Sequence, residues 1–193
     1  MMKVLLSFTG FHDPYAETGV EGERETGPIL AVLQDRPFDA AVLFATPAME
    51  ARTAATVEAI TERHPKLKVE VADIALKDPT NYAVLLRQIR QAWAAISKKY
   101  ADADFTVSVS SGTPHMHASW LLLAASGEIP ATLVQSRASK FVRPGMSRVS
   151  EIDVTGKEFP QVRAIANLPD EPRGLDDSLA LATSLGILGD QEL

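Results

Sequence analysis

The chain has 193 residues, of which 46% are hydrophobic and 23% charged, with a formal net charge of −6 and no cysteine. This composition excludes disulfides and thiolate metal sites, and the acidic balance argues against a surface that coats a nucleic acid backbone, because such surfaces need clustered Lys and Arg. The sequence lacks the run of about 18 apolar residues that a membrane-spanning helix requires, and residues 1–6 are too short and wrongly flanked for a signal peptide. We therefore expect one compact cytoplasmic domain followed by a tail, with no membrane partner.

Strand-like and helix-like segments alternate along the chain. Five apolar stretches bounded by turn residues are predicted strands: residues 4–8, 40–44, 68–73, 105–109 and 131–135. Four segments between them have helical spacing of apolar residues and are predicted helices: residues 26–33, 49–63, 81–99 and 115–126. This alternation predicts an α/β fold, with a doubly wound and mainly parallel sheet of about six strands and right-handed crossovers.

The first predicted strand ends in a polar turn, residues 7–14, that reads Ser-Phe-Thr-Gly-Phe-His-Asp-Pro. The candidate ligand-binding residues of this turn are Ser7, Thr9, Gly10 and His12. The turn opens a long polar segment, residues 12–26, for which a mobile lid and a disordered surface loop are equally good interpretations. A second turn, after the second predicted strand, contributes the hydroxyl of Thr46.

The fourth predicted strand ends in Ser-Ser-Gly-Thr-Pro-His, residues 110–115, directly before a predicted helix. Pro114 suits the first helical position and Thr113 suits the N-cap. Backbone amides, hydroxyls and the positive end of the helix dipole would then be available to phosphate or another anion. A capped turn with no ligand is the alternative, and we favour anion binding because ligands of open sheets collect at the carboxyl ends of strands. The candidate residues here are Ser110, Ser111, Gly112, Thr113 and His115.

The three turns follow strands of one parallel sheet, so they should converge at one edge and form a pocket for a nucleotide or short oligonucleotide. Neither G-x-x-x-x-G-K-[ST] nor G-x-G-x-x-G occurs, so P-loop and dinucleotide-binding interpretations lose their main support. Basic residues cluster after the fifth predicted strand, at positions Arg137, Lys140, Arg143 and Arg148. Such a cluster is either a solvated face or a cover for an anionic ligand, and its place near the serine-rich turn favours the second. The direction in which Lys140 points is left open.

Metal and hydrolase chemistry have little support. His115 and His117 are two residues apart, which places them on different faces of a helix. His12 and Asp13 could flank a ligand, but no third metal ligand is identifiable. The G-x-S-x-G elbow of a Ser-His-Asp hydrolase is absent. We expect no metal and no cofactor.

Two segments carry a family resemblance. The Ser-Phe-Thr-Gly turn after the first strand, together with Ser-Val-Ser-Ser-Gly-Thr-Pro-His-Met at residues 108–116, resembles the CARF domain, a CRISPR-associated Rossmann-like fold that senses cyclic oligoadenylates and related ligands. Within that group the chain is most similar to the N-terminal sensor domain of RtcR-type regulators of RNA repair, which are activators working with the sigma factor sigma-N. The resemblance covers residues 2–150, and Ser-Ser-Gly-Thr-Pro-x-Met is its most specific part.

The resemblance implies a homodimer with a cyclic oligoadenylate or an RNA end bound across the dyad. Residues from the first turn would line one wall, namely Ser7, Thr9 and Gly10, and residues 110–113 would form the floor. Lys140 or Arg143 would cover the ligand. Ligand binding would shift the dimer between two arrangements.

A CARF-like sensing domain is predicted for residues 1–155, and a linker or tail for residues 156–193. Residues 167–172 are Pro-rich and acidic, and residues 185–190 resemble the segment that enters sigma-N activator ATPase modules. This favours a sensor that precedes an AAA+ ATPase module, although a naturally short protein is the alternative.

An enzyme is the rival interpretation. Some CARF-fold proteins are ring nucleases, in which the ligand's own 2′-hydroxyl attacks its phosphate without a metal. Orientation and charge stabilisation carry much of such a reaction. The candidate catalytic residues are Ser7, Ser111 and Lys140, with His12 or His115 as general acids. A sequence-independent RNA-binding module is a third interpretation, which the acidic charge weakens.

Overall fold

The structure, a computed structural model, describes residues 1–18 and 23–160. Its strands are β1 Lys3–Phe8, β2 Tyr15–Glu17, β3 Arg24–Thr26, β4 Ala40–Ala45, β5 Lys68–Asp73, β6 Asp104–Ser108, β7 Thr132–Ser136 and β8 Val149–Ile152. Its helices are α1 Pro28–Asp35, α2 Glu50–Arg63, α3 Tyr82–Lys99 and α4 Pro114–Ala125, with short 3₁₀ turns at Pro47–Met49 and Ser139–Phe141. None of these helices is both long and apolar enough to cross a membrane.

The main sheet has the strand order β5-β4-β1-β6-β7-β8. Neighbouring strands from β5 to β7 pair in parallel, whereas β8 pairs antiparallel with β7. The predicted α/β fold, doubly wound and mainly parallel with six strands, is therefore confirmed. The prediction did not locate the sixth strand, because β8 is only four residues long and half polar.

The polar segment predicted as a lid or disordered loop contains an ordered element on either side of residues 19–22. Strands β2 and β3 pair antiparallel, with Ala16 opposite Glu25. Helix α1 consequently begins at Pro28, two residues later than predicted. The sequence signal was weak because each strand has only three residues and Arg24-Glu25-Thr26 is polar throughout.

The core lies on both faces of the sheet, as a doubly wound topology requires. One face of β1 places Phe8 against Phe44 and Trp120 of α4, with ring centroids 5.3 and 6.0 Å away. The other face packs Leu5 against α1 and α2. Strands buried on both sides explain the unbroken apolar runs in the sequence.

The predicted division into a domain of residues 1–155 and a tail of residues 156–193 remains a prediction. From residue 161 onward the tail lies outside the described residues.

Candidate functional site

The turns after β1 and β6 lie against each other at the carboxyl edge of the sheet. A Cβ atom built on Gly10 would lie 2.5 Å from the amide nitrogen of Gly112, so the two backbones touch. The turn after β1 is also tied to β4, since the Thr9 amide donates to the carbonyl of Phe44 at 3.2 Å. Three strand ends therefore meet around two glycines.

The turn after β6 is stabilised by its own side chains. The Ser110 hydroxyl accepts from the Ser136 amide at 2.7 Å and thereby joins the ends of β6 and β7. Gly112 has φ +101°, a conformation that favours glycine. Thr113 caps α4 by accepting from the Met116 amide at 3.3 Å, and Pro114 occupies the first helical position, as the sequence predicted.

Asp13 holds the turn after β1 from inside the protein. Its buried carboxylate accepts hydrogen bonds from the amides of Gly10 at 3.0 Å and Ile29 at 3.1 Å. Burial raises the pKa of Asp13, and the hydroxyl of Ser111 and these two amides act in the opposite direction. The structure thus separates the two neighbours that the sequence grouped together: Asp13 lies in the interior, whereas His12 is exposed.

A cavity of about 410 Å³ opens beside the turn after β6. It lies between the β2–β3 hairpin and the loop that follows β7. Three of the predicted site residues line it: His12, Ser110 and Lys140. The cavity is also lined by Glu25, Arg137, Ser139, Phe141 and Arg148. We call this space the serine-edge cavity.

Arg148 fixes the wall of the serine-edge cavity. Its guanidinium donates to the hydroxyl of Thr26 at 2.8 Å, the carbonyl of Thr26 at 2.7 Å and the carbonyl of Arg137 at 2.8 Å. These bonds join residues far apart in sequence, and they place a positive charge next to the cavity. The sequence singled out the basic cluster but had no signal for this anchoring role.

The other predicted site residues differ in their burial. The side chains of Ser7, Thr9, Thr46 and Ser111 are buried beneath the edge. The Ser7 hydroxyl donates to the carbonyl of Phe8 at 2.9 Å.

The remaining predicted residues are in contact with solvent. Gly112, Thr113 and His115 are partly exposed, and the His115 ring packs against Tyr82 with centroids 4.9 Å apart. Arg143 is exposed and does not line the cavity.

Three further side chains near this edge were not among the predicted site residues. The His117 ring lies 3.0 Å from the Ser111 carbonyl, and because a carbonyl only accepts, Nε2 carries the hydrogen. Burial lowers the pKa of His117, which favours the neutral form of the ring. Phe11 and Phe141 are 69% and 66% exposed. In the sequence, each of these two phenylalanines is a single aromatic residue within a polar turn, and this was the one feature that could have drawn attention to them.

A larger cleft, of about 640 Å³, lies between the hairpin and α2. It contains no residue of the serine-rich turn and none of the basic loop after β7. In residues 1–18 and 23–160, no three His, Cys, Asp or Glu side chains are grouped to hold a metal ion. The smaller serine-edge cavity is therefore the candidate site, because it unites the two segments with ligand-binding chemistry.

Comparison with known proteins agrees with this fold. A family model described as RtcR, regulator of RNA terminal phosphate cyclase, matches residues 4–167. The fold is similar to that of Csm6 from Enterococcus italicus, solved bound to cyclic hexa-2′-fluoro-hexa-dAMP, with a TM-score of 0.66 and 18% identity over 79% of this chain. The matched part spans 41% of the Csm6 chain.

A second structure is more distantly similar. Can2 from Sulfobacillus thermosulfidooxidans, in complex with cyclic tetra-adenylate, matches with a TM-score of 0.49 and 16% identity, over 70% of this chain and 32% of that one. No curated protein sequence matches the chain.

Proposed function

The chain belongs to the RtcR family, the regulators of RNA terminal phosphate cyclase, and from this premise we propose that its CARF-type domain is a sensor for a cyclic oligoadenylate or a nucleotide derived from an RNA end. The single observation that carries the proposal is the serine-edge cavity, where the turn before α4 and the basic loop after β7 face each other. The similarity of fold to Csm6, solved with a cyclic hexanucleotide analogue, supports this ligand class.

Phosphate is the ligand group that the cavity suits best. The Ser110 hydroxyl lines one side of the cavity, where it can donate a hydrogen bond to a phosphate oxygen. Lys140 and Arg148 add formal positive charge on the opposite side. A phosphodiester between them would receive hydrogen bonds from one side and charge from the other.

Exposed aromatic rings supply a second reason to favour a nucleotide. Phe141 lines the serine-edge cavity, and Phe11 lies in the turn after β1. An aromatic ring that remains mostly in water is available for stacking, and base–aromatic stacking contributes about 1–3 kcal/mol per base. We propose that these two rings hold bases while the neighbouring cations hold phosphates.

We propose that the sensor acts as a homodimer, with α4 at or near the interface. This helix is apolar nearly all round, with Trp120 and Leu123 facing the core while Leu122 remains 44% exposed. Tyr82 at the start of α3 is also 44% exposed. A helix with apolar residues on both its inner and outer faces is typical of one that is covered on both sides.

The regulatory output is the next part of the proposal. Ligand binding would change the balance between two dimer arrangements, and the chain after residue 160 would carry that change to an AAA+ ATPase module of a sigma-N-dependent activator. The segments that suggested this output, 167–172 and 185–190, lie outside the described residues. A cytoplasmic location follows from the same role and is part of the proposal.

Binding and turnover are measured together to test the function. The purified chain is titrated with cyclic tetra-adenylate, cyclic hexa-adenylate and an RNA with a 2′,3′-cyclic phosphate end, and the mixtures are then separated by chromatography. Saturable binding of intact ligand supports a sensor. Linear products would instead support the ring-nuclease alternative, with Ser7, Ser111 and Lys140 as the residues to substitute.

A further inference from the structure

We propose that the Glu25 carboxylate occupies an anion subsite of the serine-edge cavity in the free protein, and that an anionic group of the ligand displaces it. The subsite consists of the amide and hydroxyl of Ser139 and the guanidinium of Arg148, with Lys140 beside them. The inference deepens the proposed function and rests on its premise that the ligand is anionic.

The contacts of Glu25 are those of a bound anion. Its Oε2 atom accepts from the Ser139 amide at 3.1 Å and also from the Ser139 hydroxyl. The same oxygen lies 3.4 Å from Nη2 of Arg148. An amide, a hydroxyl and a guanidinium therefore converge on one oxygen, which is the donor set that proteins use for phosphate oxygens.

Glu25 is the least exposed carboxylate among the ion pairs of residues 1–18 and 23–160. Its side chain is 16% exposed, compared with 23% for Glu70 and 26% for Asp35, and with 44% for Glu128 and 61% for Glu151. Although burial opposes ionisation, the two Ser139 donors and the charges of Arg148 and Lys140 lower the pKa of Glu25. Glu25 is thus a partly buried anion facing a cavity.

Displacement would leave the wall of the cavity in place. Arg148 also donates to the hydroxyl and the carbonyl of Thr26, and these bonds do not involve Glu25. Removal of the Glu25 carboxylate would free the Ser139 donors and one edge of the guanidinium. The subsite is therefore preorganised, and its internal occupant competes with the ligand.

Competition predicts that loss of the Glu25 charge tightens ligand binding. An internal competitor that is held by an ion pair of ordinary strength lowers the apparent affinity for the ligand by roughly 3- to 10-fold. Glu25→Gln should recover this factor. Glu23→Gln is the matched control, because it removes the same charge from the same hairpin at an exposed residue that does not line the cavity.

The experiment uses the full chain and three probes: cyclic tetra-adenylate, cyclic hexa-adenylate and inorganic pyrophosphate. Affinities are measured by calorimetry for wild type, Glu25→Gln, Glu23→Gln and the double variant Glu25→Gln with Ser139→Ala. Circular dichroism and thermal unfolding establish that each variant is folded. The proposal predicts a gain for Glu25→Gln, less than a 2-fold change for Glu23→Gln, and loss of the gain in the double variant.

Each other outcome contradicts a defined part of the account. Equal gains for both single variants would indicate a general charge effect and overturn the displacement. Tight cyclic oligoadenylate binding without a gain for Glu25→Gln would overturn the displacement and leave the proposed function standing. A gain with pyrophosphate but no binding of either cyclic oligoadenylate would support the displacement and count against that ligand class. No binding of any probe by any variant would overturn the displacement and the cyclic oligoadenylate part of the proposed function.

Discussion

Gly10 and Gly112 meet backbone to backbone, so closely that a methyl group on Gly10 would lie 2.5 Å from the Gly112 amide nitrogen. The contact joins the ends of the two central strands, β1 and β6, and it sets the distance between the turns that flank the candidate site. Neither turn is near the other in sequence, so this close approach is a property of the fold.

Gly10→Ala should disturb the site more than it disturbs the fold. Insertion of a methyl group against backbone costs about 1–3 kcal/mol, and it would push the turn after β6 away. Gly127→Ala is the control: it has φ +78° with open space around it, so it loses about 1 kcal/mol through backbone strain without touching the site. Calorimetric binding should be lost in Gly10→Ala alone. Equal binding losses in the two variants would argue that the contact has no specific role.

Lys140→Ala should weaken binding of an anionic ligand, whereas Arg143→Ala should not. Both residues are exposed cations of one loop, but only Lys140 lines the serine-edge cavity. We expect about a 5-fold loss for Lys140→Ala, the value of a solvent-accessible ion pair, together with a shallower dependence of affinity on salt. Titrations at two salt concentrations check this, and equal effects of the two substitutions would assign the loop to a solvated face.

The stability of the fold should fall in acid through Glu70. Burial opposes its ionisation, but Lys99, Tyr100 and Lys68 all donate to this carboxylate and lower its pKa from 4.5 to about 2. A lowered pKa contributes stability above pH 4.5 and loses it as the pH falls towards 2. Because the side chain is still partly in contact with solvent, we expect about 1–2 kcal/mol at neutral pH.

Urea unfolding of wild type and Glu70→Gln measures this contribution. The gap between the two free energies of unfolding should be largest at pH 7 and should close between pH 4.5 and 2. A gap that does not vary with pH would show that charge at Glu70 is not its source.

The His117 ring should titrate below its ordinary pKa of 6.5, because burial disfavours the charged form. Since the unfolded chain binds the proton more readily, stability should fall as the pH drops below about 6.5. An NMR titration of the four histidines, with His117→Gln to assign the signal, measures the midpoint. Glutamine can still donate to the Ser111 carbonyl, so the variant should remain folded with a flatter stability profile. A midpoint at or above 6.5 would contradict the lowered pKa of the partly buried ring.

The central sheet could be predicted because local signals sufficed. Strand β4 is buried along its whole length and β1 along all but its first residue, so each appears in the sequence as an apolar run. Edge elements lack that signal. Strand β8 and the β2–β3 hairpin are short and partly polar, and tertiary contacts rather than their own composition place them in the fold.

For the candidate site, the sequence suggested residue types but could not give the direction in which their side chains point. The sequence identified Ser7 and Ser111 as site hydroxyls, yet the structure buries both, because the facing of a side chain depends on strand parity and on how the turn closes. The link between Glu25 and Ser139 spans 114 positions, and no local pattern announces such a contact. Whether these residues bind the ligand stays a prediction.

The central claim is tested most directly by calorimetric titration of the wild-type chain. The ligands are cyclic tetra-adenylate, cyclic hexa-adenylate and an RNA with a 2′,3′-cyclic phosphate end, and each ligand is then examined by chromatography. The account predicts saturable binding of at least one of them, with the ligand recovered intact. Absence of binding to all three would contradict the sensor proposal and leave the family and the fold as the established conclusions.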